Sequence, residues 1–378
     1  MRDEKQPGQF ICALNNPEKR LDAFVQRLAD AIGNPGNFAL CIGSTATSDL
    51  SGISAAGLDG EARRLTPAVD AEALALGKPV SAASLPVSPK GVVSPVVLSR
   101  AMLNLLGCRI NVFDCGAFYP PKMDCTTVSS TPAALIDSGS ALDISLVRRL
   151  FSAGEQVGAK LAHRGGYVVI GECVPGGTTT ALGVLTALGY DAWRLVSTSM
   201  PSADHDRRRK LVQDGLLKSG LKHESVVREP LLAVAAVGDP MQAFACGVAL
   251  GASKTVPVVL GGGSQMLAVW ALARQIVGRV ALSQRPVGVI TTKWVAFDSG
   301  ANVAELARLV DAPFAASCPD FNKSRHTGLQ LYEDGNVKEG VGAGALMALA
   351  SLFGHDEEKI RHAIDLAYDA MVIEEAPH

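Results

Sequence analysis

The chain has 378 residues, enough to bury a large core in one big domain with room for a smaller one. With 48% hydrophobic residues, 38 glycines and few aromatics, it has the composition of an alanine- and valine-rich α/β enzyme and excludes a disordered or fibrous chain. A formal net charge of −2 gives no electrostatic footprint for nucleic acid or an anionic membrane, and no apolar run approaches a membrane span.

The charged N-terminus leads into no long apolar segment, so no signal peptide is expected. Eight cysteines are scattered without a Cys-x-x-Cys pair, and no histidine stands at zinc-ligand spacing. These features predict a reduced, cytoplasmic protein with no metal and no cofactor. The one basic run, Arg207 to Lys210, follows Asp204 and Asp206 and reads as the solvated first turn of a helix.

Apolar runs that suit strands alternate with segments of helical period, which predicts an α/β fold: a mostly parallel, Rossmann-like sheet with helices on both faces. Strands are expected at 37–42, 109–113, 167–171, 256–260 and 287–291. Helices are expected at 17–32, 94–106, 142–163, 178–188, 206–218, 239–252, 264–277, 302–310, 342–352 and 356–371. The start at Asp239-Pro240 carries an N-cap and a first-turn proline. Residues 44–93 are rich in Ser, Gly, Pro and Ala with weak periodicity, and read as a loop-dominated excursion over an active site. The expected division is a large nucleotide-binding catalytic domain over 36–352 and a small helical domain made of 1–35 with 353–378.

Three glycine-rich places compete for a ligand. In the first, the strand ends at Glu172, turns through Pro175-Gly176-Gly177, and opens a helix with Thr178, Thr179 and Thr180. Glycines, free N–H groups and hydroxyls around one point suit a phosphate, where a plain helix cap needs less. Glu172 reads equally as a ribose contact or a strand-end residue. In the second, Leu260 is followed by Gly261, Gly262 and Gly263, then Ser264 and Gln265, again from strand to helix start. It serves either a ligand or close packing, and a shared crevice at the carboxyl ends of parallel strands favours the ligand. Gln265 reads as a ligand contact or as a cap of its own helix.

The third place, Glu339-Gly340-Val341-Gly342-Ala343-Gly344, lacks the buried strand that a dinucleotide fingerprint requires, so a dinucleotide-dependent oxidoreductase is set aside. Glu339 at the edge of an apolar helix is placed for general-base work; offsetting the helix dipole is its commoner role.

In this order the three loops resemble the nicotinate-nucleotide:dimethylbenzimidazole phosphoribosyltransferase family of cobalamin biosynthesis, most closely its archaeal and cyanobacterial branch. The resemblance begins near Ser88 and also takes in Ser94-Pro95, Gly238-Asp239-Pro240, Thr291-Thr292-Lys293-Trp294 and Ser324-Arg325-His326-Thr327-Gly328. It implies that Glu339 is the general base and that Gly176, Gly177, Thr178, Thr179 and Ser324 hold the 5′-phosphate, with Glu172 nearby. It also places Ser88 and Ser94 near the base pocket. Leu260-Gly261 stands where the bacterial branch has Asp-Gly, which opens the identity of the base more than the reaction. The implied substrates are small molecules, nicotinate mononucleotide and an aromatic base such as 5,6-dimethylbenzimidazole, and the implied assembly is a homodimer. The rival readings are a same-fold enzyme using adenine or another acceptor, and a non-catalytic nucleotide-binding regulatory protein.

Overall fold

A computed structural model describes residues 10–200 and 204–373. Eight strands form one sheet: β1 (Ile11–Asn15), β2 (Gly36–Ile42), β3 (Arg109–Asp114), β4 (Thr126–Thr127), β5 (Tyr167–Cys173), β6 (Val258–Gly261), β7 (Val287–Thr292) and β8 (Phe314–Ser317). Their order across the sheet is β1-β8-β7-β6-β5-β2-β3-β4. All neighbours are parallel except β1, which runs antiparallel along β8. The five strands expected from the sequence are β2, β3, β5, β6 and β7.

The sheet is buried on both faces. Within β5, Val168 and Ile170 join one apolar cluster while Tyr167, Val169 and Cys173 join the other, the alternation that a pleated strand imposes. On the first face the helices Ile144–His163 and Pro240–Ala252 pack unusually closely. A Cβ on Gly154 would lie 2.2 Å from the Phe244 carbonyl oxygen, and one on Gly247 would lie 2.2 Å from that of Phe151. Only residues without side chains let the two backbones approach so far.

One expectation is refined and one corrected. Residues 44–93 are mainly loop, as expected, but not entirely, because Gly60–Leu76 is a 17-residue helix capped by the Asp59 side chain. Residues Thr66 to Leu74 of that helix are all buried, so it has no polar face and little period for the sequence to show. Residues 1–35 are not purely helical either, since β1 forms one edge of the main sheet. The helix Arg20–Asp30 places Phe24 over Gly288 of β7, and the helix Glu357–Tyr368 packs on Val96–Leu106. Both helices feed side chains into the second apolar cluster of the sheet, Leu21, Phe24 and Leu28 from one and Ile360 and Ile364 from the other.

From β2 the chain moves outward through β3 and β4, then returns to lay β5 on the other side of β2 and continues through β6, β7 and β8. The direction of winding therefore reverses between β2 and β5. Connections leave these two strands on opposite sides, and a crevice opens at their carboxyl ends.

Candidate active site

A pocket of about 860 Å³, counting its open mouth, occupies that crevice. It collects all three glycine-rich loops. Glu172, Gly176, Gly177, Thr178, Gly263, Gln265 and Glu339 line it, together with Ser88 and Ser94.

The first wall is made of backbone. Gly176 is the N-cap of the helix Gly177–Ala187 and holds φ at +81°, the left-handed region that glycine occupies without penalty. A Cβ on Gly177 would fall 1.9 Å from Oε1 of Gln265, so the turn and the second loop are pressed together. The second loop opens the helix Ser264–Val277 with Gly263 as its N-cap. Neither helix start carries a side-chain cap, so the positive ends of two helix dipoles meet at one pocket, an arrangement that suits an anion.

A cation stands behind this wall. Arg208, only 1% exposed, donates from Nη2 to the Thr178 carbonyl oxygen at 2.8 Å and from Nε to Thr179 Oγ1 at 3.2 Å. Burial pulls its guanidinium down to about 10, which leaves it charged at neutral pH. The basic run read as a solvated helix turn thus contains a buried arginine. The helix His205–Ser219 turns that one position inward, while Arg207 and Arg209 stay exposed.

The catalytic candidate lies on a constrained loop. Val337, Lys338 and Val341 all have positive φ, between +54° and +66°, a costly conformation for side-chain-bearing residues and most of all for β-branched ones. Tertiary bonds hold it. The Lys338 carbonyl oxygen accepts from Thr292 Oγ1 at 2.5 Å, the Val337 N–H donates to the Ser199 carbonyl oxygen, and Lys338 Nζ pairs with Asp298 at 2.6 Å.

The Glu339 carboxyl accepts four hydrogen bonds. Oε2 takes Thr291 Oγ1 at 3.0 Å and the Thr292 N–H at 2.8 Å, and Oε1 takes the N–H groups of Gly344 at 3.1 Å and Gly340 at 3.3 Å. Burial nevertheless pushes it up to about 7, because these donors only partly offset desolvation. Glu172, 5% exposed, is driven higher, to about 8, by burial first and then by the negative charges of Asp239 and Glu339. At neutral pH Glu172 therefore keeps its proton and can donate a hydrogen bond, while Glu339 is poised between acid and base. A pair of carboxyls held apart in this way is suited to proton transfer.

Four expected site residues lie outside the pocket lining. Thr179 points away, to Arg208. Gly261 and Gly262 act through packing: a Cβ on Gly261 would meet Ala345 at 2.9 Å, and one on Gly262 would meet Met266 at 2.8 Å. Ser324 is committed elsewhere, its Oγ donating to Asp365 at 2.6 Å and accepting from the His326 N–H at 3.1 Å. The resemblance implied a place beside a phosphate; in this structure the hydroxyl is bonded within its own neighbourhood, outside the pocket lining. Lys293 pairs with Glu333 at 2.7 Å, and Arg325 pairs with Asp369. Asp239 caps its own helix and accepts from Thr180 Oγ1.

Other lining residues were not legible. Ser197, Thr198 and Ser199 follow no glycine motif and are brought in by tertiary bonds, the Ser197 N–H donating to Ser264 Oγ at 2.9 Å and Ser199 Oγ accepting from the Ala55 N–H at 3.0 Å. Asp70 arrives on the unrecognised helix Gly60–Leu76.

The fold is similar to that of solved structures of CobT from Thermus thermophilus. One, described as CobT, superposes with a TM-score of 0.59 at 16% identity over 91% of this chain and 89% of that one. Another, described as nicotinate-nucleotide-dimethylbenzimidazole phosphoribosyltransferase from the same organism, gives 0.58 at 16% identity over 94% and 89%. Residues 91–281 match the family model described as phosphoribosyltransferase. Among curated relatives, the UPF0284 protein glr4139 of Gloeobacter violaceus is 47% identical over 87% of this chain and 86% of its own length. A UPF0284 protein of Methanothermobacter thermautotrophicus is 39% identical over 87% and 91%. The chain belongs to this phosphoribosyltransferase family.

Proposed function

We propose that the pocket moves the 5-phosphoribosyl group of nicotinate mononucleotide to an aromatic base such as 5,6-dimethylbenzimidazole, giving nicotinate and an α-ribazole-type phosphate for the lower ligand of cobalamin. The observation that carries this reading is Glu339: a partly buried carboxyl raised toward neutrality, in the same pocket as two helix starts without side-chain caps.

The donor's phosphate sits against Gly176, Gly177 and Thr178, with the start of the Ser264 helix and Arg208 adding positive potential. That grip fixes the ribose for in-line attack. Nicotinate leaves readily because its ring nitrogen is already cationic in the donor. As the C1′–nicotinate bond breaks, a ring nitrogen of the base bonds C1′ from the opposite face, inverting β to α. The N–H proton of the base passes to Glu339, and the electron pair it leaves neutralises the new ring cation. Glu172, protonated at neutral pH, supplies a hydrogen-bond donor within the pocket without adding a second negative charge.

Incubating the protein with nicotinate mononucleotide and a panel of benzimidazoles, purines and phenols, and following free nicotinate, tests this. Release that depends on an added base is the expected result. Release driven only by adenine or a phenol would move the reading to another acceptor. Tight nucleotide binding with no release from any base would replace it with a regulatory role.

A further inference from the structure

The second wall of the pocket is made of side chains. It is built by the 86–95 segment and the helix Gly60–Leu76, and Val87, Val92 and Pro95 give it an apolar surface suited to a flat ring. One group on it is out of character. Asp70 is 3% exposed, lines the pocket, and has a carboxyl oxygen, Oδ1, that makes no hydrogen bond.

The other oxygen is anchored, Oδ2 accepting from the Cys173 thiol at 3.3 Å. Cys173 and Glu172 are successive residues of β5 and so face opposite sides of the sheet. Asp70 and the Glu172–Glu339 pair therefore reach one pocket from opposite sides of the β5 end. Burial pushes the Asp70 carboxyl up to about 7, against the pull of the nearby Ser94 hydroxyl, which does not meet hydrogen-bond geometry with it, and of the Cys173 thiol. No cation is paired with it among the described residues. A buried carboxyl oxygen with no partner is costly, and the cost is relieved when a ligand brings a donor to it.

We propose that Asp70 selects the acceptor, its unpartnered oxygen taking a hydrogen bond from an N–H or O–H on the edge of a bicyclic aromatic base away from the attacking nitrogen. Bases with an amino or hydroxyl group on that edge are favoured over bases with a methyl group there, so 5,6-dimethylbenzimidazole is an acceptor of the proposed reaction but not the preferred one. A methyl group fills the same space but leaves the oxygen dry and unsatisfied, and sites built around a hydrogen bond discriminate strongly against analogues that lack it. The inference rests on the phosphoribosyl-transfer reading for its reaction, and on the pocket alone for its binding.

The test compares 5-amino- and 5-hydroxybenzimidazole with 5-methylbenzimidazole on the full chain, in nicotinate release from nicotinate mononucleotide and in equilibrium binding of the bases. The expected wild-type preference, in kcat/KM and in affinity, is about 10- to 100-fold for the donor-bearing bases. Asp70→Ala brings the ratio to within about threefold of one, and Asp70→Asn, which keeps an acceptor oxygen, retains part of it. A wild-type ratio near one overturns the proposal without any variant. So does an Asp70→Ala variant that loses all three bases equally, the result expected if Asp70 only anchors its helix. Selective binding of the donor-bearing bases with no nicotinate release supports the role of Asp70 while overturning the reaction. Binding of none of the bases overturns both.

Discussion

The two walls of the pocket solve different recognition problems with different materials. The first wall uses main chain: two helix starts, three glycines and a buried arginine that reaches the pocket only through the carbonyl and hydroxyl it holds. Backbone N–H groups suit any phosphate, so in the proposed reaction this wall would fix the kind of donor group and the geometry of attack. The second wall uses side chains on a helix and a connecting segment, Asp70, Ser88, Ser94 and three apolar residues, of which Ser88 and Ser94 also accept N–H groups of their own turns. The first wall is suited to holding a reaction constant and the second to changing the acceptor. Glu339 lines the same pocket, and in the proposed reaction it works where the two substrates meet.

Glu339→Gln should have the largest effect, because it removes the proton acceptor and keeps the shape. A loss in kcat of about two to four orders of magnitude is expected, with donor KM nearly unchanged. The pH profile gives the independent readout. The folded-state value is raised, so the carboxyl stays protonated and idle at low pH, and the active carboxylate accumulates as pH rises through about 7. The wild-type rate should climb across that window, and the residual rate of the variant should not. Equal losses at both walls, in kcat and in donor KM alike, would mean that Glu339 holds the loop together instead.

Gly177→Ala attacks the first wall. Its methyl group would meet Gln265 Oε1 at 1.9 Å and force that side chain away from Glu172, which it helps to hold down. We expect donor KM to rise about tenfold, in line with the usual cost of overpacking. Adding Gln265→Ala should recover part of the loss, and failure of the double variant to do so would place the damage in the turn itself.

Legibility in the sequence follows the same division. Gly176, Gly177 and Thr178 are found because strand, glycine pair and hydroxyl-bearing helix start stand next to each other in the chain. β2, β5, β6 and β7 are found because each holds an apolar run, and β3 because Ile110, Val112 and Phe113 stand close together. Asp70 is missed because the central turns of its helix, Thr66 to Leu74, are buried all round and so show no period, with Pro67 inside them. β8 is flanked by Pro313 and Pro319, which read as loop, and β1 is an edge strand that pairs with β8 alone. Arg208 is hidden in a run of four basic residues, and only packing decides which of them turns inward.

Arg208→Met tests whether that hidden cation matters to the donor. The variant keeps most of the apolar stem but loses the charge and the bond to the Thr178 carbonyl oxygen. Nicotinate mononucleotide should bind about tenfold more weakly, and nicotinate riboside, which lacks the phosphate, should bind as before. An equal loss for both ligands would make Arg208 a scaffold residue.

Ser324→Ala should change the donor least, and for that reason it separates resemblance from geometry. Ser324 Oγ is bonded to Asp365 of the helix Glu357–Tyr368 and to the N–H of His326, and the pocket lining does not include it. Removing the hydroxyl leaves a buried carboxyl oxygen of Asp365 without its donor, so a stability loss of about 1 kcal/mol is expected in thermal or urea unfolding. Donor KM should stay within about twofold of wild type. A large rise in donor KM with unchanged stability would show that the 320–330 segment closes over the phosphate when substrate binds, and the first wall would then include side chains as well as backbone.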